Sequence, residues 1–177
     1  MKPIRVLLVD DQPLFRDGLR MLLSVRPEVQ VVGEVSNGDN ALQAVHTLSP
    51  DIVLMDLHMP VMNGIECTRR LRAASASCRI IVLTTFDDDE DVFEALRAGA
   101  NGYLLKGVSA AKLVEGIQLT MEGQSILQPS VDFSFRWSAA SRKFTTFRFL
   151  KIAARPCLRA WPAHPFRPPA RWGPPVR

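Results

Sequence analysis

The sequence predicts an α/β fold: a doubly wound, five-stranded parallel sheet with helices on both faces. Three observations lead there. Over the first 122 residues, five short apolar runs alternate with five stretches of helical spacing. The runs are apolar at nearly every position, as strands covered on both faces must be. Polar side chains able to do chemistry stand at their carboxyl ends, where the sites of open α/β sheets gather.

The elements follow in order. Ile4 to Val9 (IRVLLV) reads as a buried strand, and Phe15, Leu19, Leu22 and Leu23 then recur at helical spacing. Val29 to Val35 is the second strand. Asn37-Gly38 breaks it, Ala41, Ala44, Val45 and Leu48 form a helical face, and Ser49-Pro50 ends that helix. Ile52 to Met55 is the third strand, closed by Asp56, and Gly64 to Ala74 is a less cleanly amphipathic helix. Ile80 to Leu83 is a β-branched-rich fourth strand. Val92, Ala95 and Leu96 mark a helix that stops at Gly99, Tyr103 to Leu105 is the fifth strand, and Leu113, Val114, Ile117 and Met121 mark a last helix before Gly123.

Charge divides the chain. Residues 1–130 hold 12 of the 22 Lys and Arg and 17 of the 18 Asp and Glu; residues 131–177 hold the other ten cations and only Asp132. An acidic domain therefore precedes a basic tail. No apolar run approaches the roughly 20 residues that span a bilayer, and the short apolar run after Met1-Lys2-Pro3 lacks a signal-peptide cleavage pattern. Cys67, Cys78 and Cys157 lack metal-like spacing, which suits a reduced cytoplasmic setting with inert thiols.

The strand ends offer Asp10, Asp11, Asp56, Thr84 and Lys106. Taken singly, each has a bland reading. Asp10 or Asp11 alone suits a helix N-cap, Asp56 a loop, Thr84 an ordinary strand position, Lys106 a solvated lysine. The run Asp87-Asp88-Asp89-Glu90-Asp91 suits a helix N-terminus better than a metal site, and His46, His58 and His164 show no ligand spacing. Together the strand-end groups mean more. Carboxylates crowded at neighbouring strand ends repel, and Mg²⁺, which needs few protein ligands, relieves that repulsion. An ammonium and a hydroxyl beside them complete a phosphoryl-transfer set.

Five stretches carry a close resemblance to the response regulator receiver family. They are Val6-Leu7-Leu8-Val9-Asp10-Asp11, the run Asp51 to Pro60 (DIVLMDLHMP), Asn63-Gly64, Leu83-Thr84, and the run Gly99 to Lys106 (GANGYLLK). The resemblance covers roughly residues 3–128, and Leu83 to Asp89 (LTTFDDD) is similar to the NarL/FixJ (LuxR-type) subgroup. It implies a flavodoxin-like receiver fold. It implies that Asp56 takes a phosphoryl group from a sensor histidine kinase. Asp10, Asp11, Asp56 and the backbone carbonyl of His58 would hold Mg²⁺, Lys106 and Thr84 would contact the phosphoryl group, and Thr84 and Tyr103 would form the switch pair. Such a protein is a phosphoacceptor, self-dephosphorylating at most, rather than an enzyme. Its signalling face would comprise the helix between Thr84 and Tyr103 and the final helix.

The expected organisation is a receiver at 1–123, a connection at 124–130 and an irregular, disordered tail at 131–177. The tail lacks the helix-turn-helix pattern of the subgroup and holds 7 of the 13 Pro, 6 of the 9 Phe and all 3 Trp. Three readings stand for it. A frameshifted translation of a DNA-binding domain is favoured, because composition changes abruptly and no periodic apolar face appears. A basic arm on nucleic acid and a partner-docking or membrane-surface segment are the others. Expected partners are the kinase, a second receiver and nucleic acid held weakly and non-specifically, with no membrane; the alternative is DNA-binding transcription regulation through an unrecognised or tail-based C-terminal region.

Overall fold

A computed structural model of the chain describes residues 2–85 and 89–127, with Asp89 described in its backbone only. The tail readings and Asp87-Asp88 lie outside the described residues. Ile4–Val9 (β1), Pro13–Ser24 (α1), Val29–Val35 (β2), Gly38–Leu48 (α2), Ile52–Met55 (β3), Gly64–Ala73 (α3), Arg79–Thr84 (β4), Asp89–Ala98 (α4), Gly102–Leu105 (β5), Ala110–Met121 (α5) and Ile126–Leu127 (β6) follow in order. Every strand pair is parallel, and the strand order is β2-β1-β3-β4-β5-β6.

The sheet thus has six strands where five were expected. β6 falls in the stretch read as a connection. Ile126, 3% exposed, pairs with Gly102, and a side chain at Gly102 would press on the Ile126 carbonyl. Two residues are too few to show a period-2 pattern, which is why the sequence hid them.

Period-2 alternation assigns the two faces. Val6, Leu8, Ile52, Leu54, Ile81, Leu83 and Leu104 turn towards α1 and α5, joining Leu19, Leu23, Leu113 and Ile117. Leu7, Val9, Val53, Met55 and Ile80 turn the other way, onto Ala41 of α2 and Cys67 and Leu71 of α3. Val82 and Tyr103 share that second face with Val92 and Ala95 of α4. Each fully buried aliphatic side chain contributes roughly 1.5–3 kcal/mol. The expected weak amphipathicity of α3 has a simple cause: its buried stripe is narrow, at Gly64, Cys67, Thr68 and Leu71, with arginines filling much of the rest. Burial pushes the Cys67 thiol up to about 12 and raises Cys78, so both stay protonated and unreactive near neutral pH.

Helix ends use local chemistry. The side chains of Asn37, Asn63 and Ser109 accept backbone N–H groups at the starts of α2, α3 and α5. Gly99, at φ 103, ends α4 in the left-handed region that favours glycine.

Candidate functional site

The strand order reverses between β1 and β3, and a crevice opens at their carboxyl ends at such a point. Val9 is in register with Met55, so Asp10 and Asp56 emerge side by side. Their backbones are fixed by bonds from the Asp10 N–H to the Val35 carbonyl, 3.1 Å, and from the Asp56 N–H to the Val9 carbonyl, 2.8 Å. Both residues are 3% exposed. Ligand oxygens of Asp10, Asp11 and Asp56 all lie within 4.8 Å of one another, the one such cluster among the described residues.

The structure brings Lys106 into this cluster. Its Nζ lies 2.7 Å from Asp10 Oδ2 and 2.9 Å from Asp56 Oδ2, with the side chain only 5% exposed. The strand register explains the reach. Thr84, the last residue of β4, pairs with Leu105, and the Lys106 N–H donates to the Thr84 carbonyl at 2.7 Å. Thr84 is fully buried at that edge. Tyr103 is fully buried too, opposite Val82 and against α4.

Two carboxylates share one ammonium, with the third, Asp11, beside them, and the electrostatics follow. Burial is the largest influence on Asp56 and raises its carboxyl above the usual range. The bond and charge of Lys106 pull it down, the Asp10 charge pushes it up, and the His58 backbone N–H donates to it and pulls down again. For Lys106, burial alone would lower the ammonium, but the bonds and charges of Asp10 and Asp56 outweigh it and hold it above an ordinary lysine. Lys106 is therefore firmly charged at neutral pH.

Asp11 differs from its neighbours. Its Oδ1 is buried and has no hydrogen-bond partner among the described residues. An orphaned carboxylate oxygen beside two further carboxylates fits a hard divalent cation. Neither Asp10 nor Asp11 is the cap of α1: Gln12 holds that place without a side-chain cap bond, and Asp10 Oδ1 accepts the Gln12 N–H at 2.9 Å ahead of the helix.

The loop from Leu57 to Asn63 runs from the Asp56 end of β3 to α3. Its Val61 sits at φ 70, a costly conformation for a β-branched residue, between the buried side chains of Met59 and Met62. The His58 imidazole reaches Asp91 of α4 at 3.0 Å, so part of the acidic run serves this loop. Gly64 lies against the Asp56 backbone, and its N–H donates to the Leu57 carbonyl at 3.0 Å.

Two contributors were not singled out from sequence. Phe15 places its ring under Lys106 Nζ, 4.6 Å to the centroid, and Arg16 donates to the Asp10 carbonyl at 2.5 Å. Both stand one helical turn beyond the Asp10-Asp11 strand end. Phe15 was assigned to the apolar face of α1, which hid its second neighbour.

Residues 6–118 match the response regulator receiver domain family. The nitrate/nitrite response regulator protein NarL of Escherichia coli (strain K12) is 38% identical over 147 residues, 83% of this chain and 68% of that protein. The transcriptional regulatory protein DegU of Brevibacillus brevis is 38% identical over 128 residues, 72% of this chain but 54% of DegU. The signal receiver domain of the putative response regulator NarL from Mycobacterium tuberculosis has TM-score 0.68 at 33% identity, covering 70% of this chain and 100% of that domain. A LuxR-family two-component response regulator from Aurantimonas sp. SI85-9A1 has TM-score 0.68 at 36% identity, covering 72% and 91%. The chain spans from about half to two-thirds of the length of these curated relatives. The fold and the sequence are thus shared along most of the described chain, which belongs to the response regulator receiver domain family, in its NarL/LuxR branch.

Proposed function

We propose that Asp56 accepts a phosphoryl group from a sensor histidine kinase and that the change of charge there switches the domain. One observation carries the reading: a buried carboxylate at a strand end is bonded by a buried lysine and crowded by two further carboxylates. Asp10, Asp11, Asp56 and the His58 backbone carbonyl would hold Mg²⁺. The bound cation offsets repulsion among the acids and neutralises charge on the phosphoryl oxygens.

Lys106 supplies a positive charge already seated at the acceptor, and Thr84 a hydroxyl donor from the adjoining strand end. A phosphoryl group on Asp56 replaces one carboxylate charge with a doubly charged, three-oxygen acceptor. Lys106 and Thr84 then gain charge-assisted bonds by shifting towards it. Thr84 and Tyr103 share the β4–β5 pair, so movement at one biases the packing of the other against α4. The chain acts as an acceptor that dephosphorylates itself at most. The receiver at 1–123, through the connection at 124–130, would control transcription, as the name of DegU states for that relative, or a partner protein.

Acetyl phosphate with Mg²⁺ should add one phosphoryl group by intact mass, mapped to Asp56. Asp56→Asn should take up none, and chelation with EDTA should stop the labelling. Equal labelling of the variant and the parent would sink the assignment.

A further inference from the structure

The Lys106 ammonium has three protons to place and two carboxylates that take them, Asp10 at 2.7 Å and Asp56 at 2.9 Å. The ring of Phe15 lies beneath it, 4.6 Å to the centroid, within the distance at which a ring face attracts a cation. Phe15 is half-buried, packed against the core on the α1–α5 side. It also lines, together with Lys106, a groove of about 460 Å³ between α1 and α5. The ring is therefore a π platform for the ammonium and part of the apolar wall of the groove beside it.

We infer that Phe15 is a positioning residue for phosphoryl acceptance: its ring face holds the Lys106 ammonium at the acceptor carboxylate while the lysine exchanges carboxylate oxygens for phosphoryl oxygens. The inference rests on the proposed role of Asp56 and Lys106. During the exchange the ammonium gives up one carboxylate contact before it completes another. The attraction spreads over the ring face rather than ending on one lone pair, so it persists through a small shift of the cation above the ring.

The test varies the ring's electrons and leaves its shape nearly constant. Phe15 is replaced in the full chain by phenylalanines carrying one, two or three ring fluorines, and phosphorylation of Asp56 by acetyl phosphate with Mg²⁺ is timed. The rate should fall stepwise with each fluorine, by about two- to fivefold over the series, with unchanged circular dichroism and melting temperature. The same series in a Lys106→Met background should be flat. A flat series in the parent background overturns the inference, because a merely structural wall is indifferent to ring electrons. So does a slope that survives without Lys106. Failure of the parent to label at Asp56 instead overturns the proposed function, so the two failures are told apart. Phe15→Leu, which keeps an apolar wall, should resemble the trifluorinated chain; parent-like rates in a folded Leu variant would count against the ring.

Discussion

Gly64→Ala is expected to destabilise the receiver by about 3 kcal/mol or more. A methyl group there would overlap the Asp56 carbonyl oxygen, press on the Asp56 carbonyl carbon at 2.9 Å and meet Met55 Cγ at 3.0 Å. Two of those three contacts are backbone, so no rotamer change relieves them. The first turn of α3 would have to move away from the β3 end, straining the bond from the Gly64 N–H to the Leu57 carbonyl. A drop of that size should lower the melting temperature by roughly 10 °C for a domain of this length. The control is Gly18→Ala. Gly18 lies inside α1 with nothing within 4 Å of an added Cβ, so alanine there should stabilise by about 0.5–1 kcal/mol through helix propensity. Thermal unfolding of both variants beside the parent checks the pair. Equal melting temperatures for Gly64→Ala and the parent would mean that the approach of α3 to Asp56 is not as tight as described. Because the displaced backbone is that of Asp56, the proposed acceptor, Gly64→Ala should also slow acetyl phosphate labelling in whatever fraction stays folded.

The contrast between those glycines shows what a sequence discloses. Asn63-Gly64 was visible as a motif and as a helix start, and Asn63 does cap α3. The reason for the glycine was not visible, because it depends on how closely α3 approaches the end of β3. The strands were legible for a different reason. A parallel sheet covered on both faces needs nearly unbroken apolar runs, and the central strands Ile4 to Val9 and Ile52 to Met55 supply them, while Val29 to Val35, at the sheet edge, tolerates Gln30 and Glu34. β6 escaped because Ile126 and Leu127 gain their strand character from Gly102 and Tyr103, far away in the chain. The candidate site was legible as residues at strand ends, since Asp10, Asp11, Asp56, Thr84 and Lys106 each follow or close an apolar run. Its energetics were not. Nothing in the sequence says that Lys106 is almost wholly buried, that it bridges Asp10 and Asp56, or that a ring from α1 lies beneath it. Those facts belong to the packing of β5, β1, β3 and α1 around one crevice.

Lys106→Met should reveal how far one ammonium holds that crevice together. The substitution keeps an unbranched apolar stem and removes the charge bonded to Asp10 and Asp56. Three carboxylates would then crowd within 4.8 Å with no cation among them. Leaving buried charges without their partner costs on the order of 3–5 kcal/mol, against a total of roughly 5–15 kcal/mol for a domain. The acids can escape part of that cost by binding protons, and this sets the pH dependence. Asp56 already sits above the usual carboxylate range because of burial, and the variant loses the Lys106 bond and charge that now pull it down. A carboxyl raised in the folded state contributes stability that is full below its unfolded value and is lost as pH rises through the folded value. The variant should therefore lose stability steadily from acid towards neutral pH. In the parent, Lys106 is raised by its partners, so its contribution is full below the ordinary lysine value and is lost only as pH rises through the higher folded value. The gap between the two proteins should consequently be widest around neutral pH. It should narrow in acid as the carboxyls protonate, and again in strong alkali as Lys106 discharges. Magnesium supplies a second axis. In the parent a divalent cation would have to share the carboxylates with an ammonium; in the variant it would meet uncompensated charge, so its affinity should rise and its stabilising effect should grow with concentration. Urea unfolding of both proteins across pH, with EDTA and with millimolar Mg²⁺, measures every part of this. A variant as stable as the parent at neutral pH in EDTA, or one that magnesium stabilises less than it does the parent, would show that Lys106 is not the cation on which the acidic crevice depends.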